Sequence, residues 1–362
     1  MVKGSGKPSD ISFSCTRIQQ NGWEEILLCD EISGCRATII PSAGAALRML
    51  EVAINSHDQE KKWLNVIDGV KDKHDFDVNF TKDGFKGAKL SPFVCRLNKG
   101  VYEWNDIKYQ VGKSPGSSCF YDDNHHALHG LIFDAPFQIN KVGANSQRAE
   151  CQLFHCYDGV TVDSGYPFAF HINISYILES ENKLTITTTV QNCSGTKIPI
   201  SDGWHPYFQL AESIDSSFLQ FQSRKMVEFN SDLLPTGNLL EEAKWNQDEG
   251  VSLNNIQLDN CFVLLKEDNW DVDKNRKRLP SCILRDESVG LAVHIYPDVE
   301  MYPFLQLYIP PSRKSIAIEN LSSVPDAFNN KIGLLELEPE GTKTFTTCYQ
   351  IVVGGVKDTR LL

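Results

Sequence analysis

A chain of 362 residues that is 41% apolar and 23% charged has material for a sizeable core and is not a disordered protein. Its formal charge of −12 argues against nucleic acid or anionic membrane as main partner, since both reward surfaces rich in Lys and Arg. The eleven cysteines are odd in number, with no C-x-x-C pair, and read as buried free thiols in a reducing compartment rather than as a zinc site.

In chain order, Met1 to Gln20 is polar and lacks the apolar core of a signal peptide. No run approaches the ~20 apolar residues of a membrane span, so a soluble, cytoplasmic protein is expected. Residues 37–52 read as a strand and Asp72 to Asp83 as an exposed loop. Tyr102 to Val111 reads as two short strands around the turn pair Asn105-Asp106. Phe170 to Leu178 alternates, with Ile172, Ile174, Tyr176 and Leu178 facing one way and His171, Asn173 and Ser175 the other. Leu184 to Val190 is β-branched and suits a pleated surface.

Further strands are expected at 218–222, 225–230, 261–265, 281–286, 291–296, 304–309, 315–319 and 345–353, with Glu287 to Gly290 linking two of them. Short turns are expected at Glu241 to Asp248 and 325–331, and an exposed charged loop at 267–280. Many short strands separated by Gly, Asn, Asp and Ser clusters predict an all-β sandwich or barrel. With no internal repeat or linker, 1–362 reads as a single domain.

Two motif matches fail on chemistry. Gly112-Lys113-Ser114-Pro115-Gly116 fits G-x-S-x-G, but Pro115 has no backbone N–H to give to an oxyanion hole. Gly4-Ser5-Gly6-Lys7 lacks the spacing of a phosphate loop. His125, His126 and His129 could share a metal only on a helix, and Gly130 follows at once, so no metal is expected.

Five positions remain. His205 lies in Asp202-Gly203-Trp204-His205-Pro206-Tyr207-Phe208, beside aromatic rings suited to stacking on a flat ligand. His129 lies in Leu128-His129-Gly130, and Glu319 ends the apolar run Ile316-Ala317-Ile318. Two imidazoles and one carboxylate on separate elements can move protons on and off a neutral polar substrate such as a sugar. Arg96, between Cys95 and Leu97, offers a fork of donors to vicinal hydroxyls, and Asp259 opens a strand where it could accept from a polyol.

These segments, in the order Pro92-Phe93…Arg96, Leu128-His129-Gly130, His205-Pro206-Tyr207-Phe208, Leu258-Asp259…Phe262 and Ile318-Glu319…Pro325-Asp326, resemble the aldose 1-epimerase (galactose mutarotase) family. Glu338-Pro339-Glu340-Gly341 before the last strand resembles its closing turn, so the likeness spans about residues 37 to 353. It implies a large, many-stranded antiparallel β-sandwich, the galactose mutarotase-like supersandwich, that interconverts the anomers of an aldohexose without a cofactor. It further implies that Glu319 is the base on the anomeric hydroxyl, His205 the acid on the ring oxygen, His129 a second imidazole there, and Arg96 and Asp259 hydroxyl anchors. Such a mechanism requires His205 to stay protonated near neutrality, with Glu319 raising its pKa, and a bell-shaped rate profile between about pH 5 and about pH 9. Three alternatives stand beside it: a hexose 6-phosphate mutarotase, a non-catalytic sugar-binding protein, and a glycosidase using Asp259 and Glu319.

Overall fold

The computed structural model of the chain describes residues 12–55, 61–112, 119–160, 164–247, 249–266 and 279–354. The Gly4 to Lys7 match, most of Gly112 to Gly116 and most of the 267–280 loop lie outside them. The strands of the described residues pair antiparallel throughout, and two large sheets dominate.

One sheet has nine strands. Its centre is the run Arg148–Asp158, Ala169–Glu179, Lys183–Asn192, Thr342–Val353 and Leu291–Pro297, each paired with the next. The alternation expected along Phe170 to Leu178 is present: Ile172, Ile174, Tyr176 and Leu178 are buried while Asn173 is exposed. The second sheet, of eight strands, orders Pro235–Glu241, Ser223–Phe229, Asp259–Leu264, Phe304–Tyr308, Ile316–Leu321, Gly203–His205 and Ala88–Leu90, with Tyr207–Phe208 also paired to Ile316–Leu321. The inner faces of the two sheets meet: Phe208 packs edge-on against Tyr349 at 5.3 Å, and Thr347 Oγ1 donates to Asn320 Oδ1 at 2.9 Å.

The hairpin at Tyr102 to Val111 forms as Val101–Trp104 and Ile107–Gln110. Asn105 (φ 51°) and Asp106 (φ 60°) take the two left-handed positions that a type I′ turn demands. Elsewhere the sequence reading needs correction. Residues 37–52 are two strands, Arg36–Ile40 and Ala46–Asn55, because Gly44 (φ 63°) and Ala45 (φ 57°) reverse the chain between them.

Asp72 to Asp83 is not a loop but carries the helix Lys73–Asn79. Asp72 caps it by accepting from the Asp75 amide at 2.8 Å, and Phe76 stacks near Phe80 one turn on, 4.5 Å between ring centres. The strands Phe13–Gln20 and Trp23–Asp30 had no clear signal in the sequence. Their apolar alternation is broken by Glu25, which is fully buried yet accepts hydrogen bonds from Gln20, Asn21 and Trp23. All eleven cysteines are free, but only Cys35, Cys95, Cys151, Cys261 and Cys282 are buried, and Cys156 is exposed. No helix among the described residues is long and apolar enough to cross a membrane.

Candidate active site

The eight-stranded sheet arranges the chemistry through its two-residue period. Along Ile316–Leu321, Ile316 and Ile318 point into the main core, so Glu319 points to the opposite face. Gln306 pairs directly across from Glu319 on one neighbour and from Cys261 on the other, and Tyr308 sits opposite Asp259. One face therefore presents Asp259, Cys261, Gln306, Tyr308 and Glu319 on three adjacent strands.

His205 joins this face from the next strand, Gly203–His205, where Gly203 pairs with Leu321. Alternation sends Trp204 the other way. It is buried in the main core, edge-on to Tyr176, and Phe208 is buried there as well. The expected aromatic stacking platform is thus reduced to Tyr207, which lines the cleft and lies parallel to the His205 ring at 5.0 Å.

His129 arrives from the segment after Ala127–Leu128 with a left-handed backbone (φ 64°), an unusual state for a non-glycine residue. Gly130 makes this possible: a Cβ there would lie 2.2 Å from the Ser91 carbonyl oxygen. The chain can pass that close only without a side chain. Arg96 lies on the strand Arg96–Leu97, paired with Ala127–Leu128.

All five residues singled out in the sequence line one cleft of about 250 Å³, together with Thr81, Gly84, Phe85, Cys95, Phe120, Leu128, Tyr207, Gln306 and Tyr308. His205 Nε2 is 3.4 Å from Glu319 Oε1, and the His129 and His205 rings meet edge-to-face at 4.9 Å. Gln306 Nε2 donates to Asp259 Oδ1 at 2.8 Å. Four buried polar atoms here, His129 Nδ1, His205 Nδ1, Glu319 Oε2 and Gln306 Oε1, have no hydrogen-bond partner among the described residues. Buried polar atoms are almost always bonded, so such a group marks a surface built for a polar guest.

The sequence reading missed Gln306 and Tyr308. Gln306 was legible in principle as the lone amide in Phe304-Leu-Gln-Leu-Tyr308, but polar residues are ordinary in half-exposed strands. His126, by contrast, is structural: its Nδ1 accepts from the Lys99 amide at 3.1 Å. Among the described residues no group of three or more His, Cys, Asp or Glu side chains is arranged to hold a metal ion.

Electrostatics overturns one expectation. His205 is not held protonated: burial pushes its pKa down to about 3. Burial also pushes Glu319 well above the carboxylate range, with Asp259 reinforcing this and Arg96 opposing it, and it drives His129 well below its ordinary value. Glu319 was expected to raise His205, but a low-dielectric cleft penalises both charges more than their proximity rewards them.

This has a consequence for stability. Glu319 has a folded pKa above its unfolded value near 4.5, so its contribution is intact below that pH and fades as pH rises through the folded value. Glu319→Gln cannot titrate. Its melting temperature relative to the native chain should therefore rise between pH 4.5 and pH 8, and a constant difference over that range would show that Glu319 is not buried as described.

The fold is that of the galactose mutarotase-like β-sandwiches. The chain belongs to the aldose 1-epimerase family, whose sequence model matches residues 24–350. It is 25% identical over 256 residues to the uncharacterized protein YihR of Escherichia coli (strain K12), covering 70% of this chain and 74% of that one. It is 26% identical to the aldose 1-epimerase of Streptococcus thermophilus over 42% of each chain. Its fold is shared with a galactose mutarotase-like protein from Clostridium acetobutylicum (TM-score 0.78, 20% identity, 96% of this chain and 100% of that one). Galactose 1-epimerase from Lactobacillus acidophilus has it too (TM-score 0.70, 17% identity, 95% and 100%).

Proposed function

We propose that this protein is an aldose 1-epimerase that interconverts the α- and β-anomers of an unphosphorylated aldohexose. The observation that carries the reading is the 3.4 Å approach of His205 to Glu319 beside His129, in a cleft of about 250 Å³. That volume suits a guest smaller than the ligands of ~300–1,000 Å³ pockets.

Ring opening removes a proton from the anomeric hydroxyl and adds one to the ring oxygen. Glu319 as carboxylate takes the first and His205 as imidazolium gives the second. The pair then stands neutral, with one proton on Glu319, while the sugar is an open-chain aldehyde. Rotation about C1–C2 presents the other carbonyl face. On closure Glu319 returns its proton and His205 recovers the other, so no cofactor is consumed. Burial makes the neutral pair the state of the resting cleft as well as of the open-chain intermediate, so a proton passes from Glu319 to His205 once sugar is bound, before opening, and the cost of that transfer is part of the barrier. Arg96 and Asp259 anchor hydroxyls, and Gln306, bonded to Asp259 and facing Glu319, is placed to bridge them.

The pair works while it holds a single proton. It gains a second only as His205 titrates near about pH 3, and loses its last when Glu319 ionises, above the usual carboxylate range. The expected kcat/KM profile therefore has its acid limb near about pH 3, where His205 titrates, and its second limb above the usual carboxylate range, where Glu319 ionises, with a plateau between them. An acid limb centred on 6.5 would assign the imidazole an ordinary pKa and remove this account.

The cleft argues against the alternatives. Among the described residues Arg96 is the single cation lining it, already paired with Asp122 and facing Asp259 and Glu319, which is a poor seat for a sugar phosphate. Asp259 and Glu319 stand on the same face of one sheet rather than on opposed walls, which does not suit a glycosidase. Polarimetry of freshly dissolved α-D-glucose, α-D-galactose and their 6-phosphates tests the reading. Acceleration of the neutral sugars supports it, and acceleration confined to the phosphates, or none, rejects it.

A further inference from the structure

Arg96 has a partner that the proton chemistry does not use. Asp122 lies in the turn between Phe120–Tyr121 and Ala127–Leu128, the strand that pairs with Arg96 itself. Its Oδ2 accepts from Arg96 Nε at 3.1 Å. Its Oδ1 accepts from the His126 amide at 2.8 Å, its own amide donates to the His126 carbonyl at 2.9 Å, and its carbonyl accepts from the His125 amide at 2.8 Å. The turn is pinned from outside as well, since the Lys99 amide donates to His126 Nδ1 and the Lys99 ammonium to the Asn124 carbonyl. The carboxylate therefore sits in a rigid frame, and the pair is only partly open to solvent, at 21% and 16% side-chain exposure.

We infer that Asp122 is a positioning residue: it clamps Arg96 through Nε so that the two terminal amines of the guanidinium are held toward the sugar hydroxyls in the cleft. The guanidinium is planar, so fixing the Nε–H direction fixes the plane in which the other donors lie. Without the clamp the three-methylene arm samples several rotamers, and each binding event must order it. Arg96 meets carboxylates on both sides, Asp122 at its stem and Asp259 across the cleft. A clamp at Nε prevents it from collapsing onto Asp259 and closing the site to substrate.

This role rests on the reading of Arg96 as a hydroxyl anchor, and its test separates the two. Asp122→Asn keeps an oxygen for the His126 amide and removes the charge. For D-galactose and D-glucose, KM and the dissociation constant should rise about tenfold, with kcat within about twofold and the melting temperature unchanged. In an Arg96→Ala background the same substitution should change KM by less than about twofold, because the group it acts through is gone. Arg96→Lys, which leaves the turn untouched, should raise KM at least as far, since one ammonium cannot serve both Asp122 and a diol. Equal losses in kcat and KM, an undiminished effect in the Arg96→Ala background, or an unchanged KM in Arg96→Lys would each overturn the clamp. A native chain that binds both sugars but turns over neither overturns the epimerase reading instead; there the dissociation constants of the same variants still decide the role of Asp122.

Discussion

Glu319→Gln should lower the rate of anomer interconversion by about 10²–10⁴-fold while the affinity for D-galactose changes by less than about threefold. The amide is nearly isosteric, so the strand Ile316–Leu321, its pairing with Phe304–Tyr308 and the shape of the cleft are preserved. What is lost is the ability to receive a proton from the anomeric hydroxyl and hand it back. The proposed hydroxyl anchors Arg96 and Asp259 are untouched, so binding and turnover should separate. Polarimetry at saturating sugar gives the rate and calorimetric titration gives the affinity. Turnover within tenfold of native would remove Glu319 from the mechanism. A large loss of affinity would instead make it an anchor.

Lys89→Met should destabilise the protein by about 3–5 kcal/mol, as expected when one member of a buried ion pair is removed and its partner is left uncompensated. Lys89 and Asp202 are both fully buried, with Nζ 2.5 Å from Oδ1. Lys89 also donates to the Gly203 carbonyl at 3.0 Å and lies over the Trp204 ring, and the Tyr302 hydroxyl donates to Asp202 at 2.6 Å. Burial depresses the Lys89 pKa to about 8 and raises that of Asp202, so each ion is tolerated only because of the other. The pair ties Ala88–Leu90 to the strand that carries His205. Urea unfolding at pH 7 measures the cost. Adding Asp202→Asn should recover part of the loss, because the orphaned charge disappears. A single-variant cost below about 1 kcal/mol would mean the site relaxes or admits water.

The fold class was legible because strand alternation is a local signal, clear in Ile172 to Leu178 and in the β-branched run Leu184 to Val190. Glu319 and His205 could be read because each interrupts an apolar or aromatic run that a core strand alone does not explain. Other features depend on distant parts of the chain. Gln306 gains meaning only from lying opposite Glu319 in the register, and Asp122 only from the fold of the turn that faces Arg96. The helix Lys73–Asn79 hid because its apolar face is little more than Phe76, which meets Trp23, and the C-cap Phe80, which leans on Phe85 and Phe133. The charge states of His205 and Glu319 were misread because depth of burial is set by the walls around them, and those come from six separate strands and loops.

Cys95 gives the cleft a further property. An aldose opened in this site exposes a free aldehyde, an electrophile that thiolates and amines capture. Among the described residues Cys95 is the cysteine lining the cleft and no lysine lines it, and burial together with the nearby Glu319 holds the Cys95 thiol well above its ordinary pKa. A protonated thiol is a poor nucleophile. The walls are thus chemically inert toward the aldehyde that the proposed ring opening would form, so the sugar could reclose and depart without a covalent adduct on the protein.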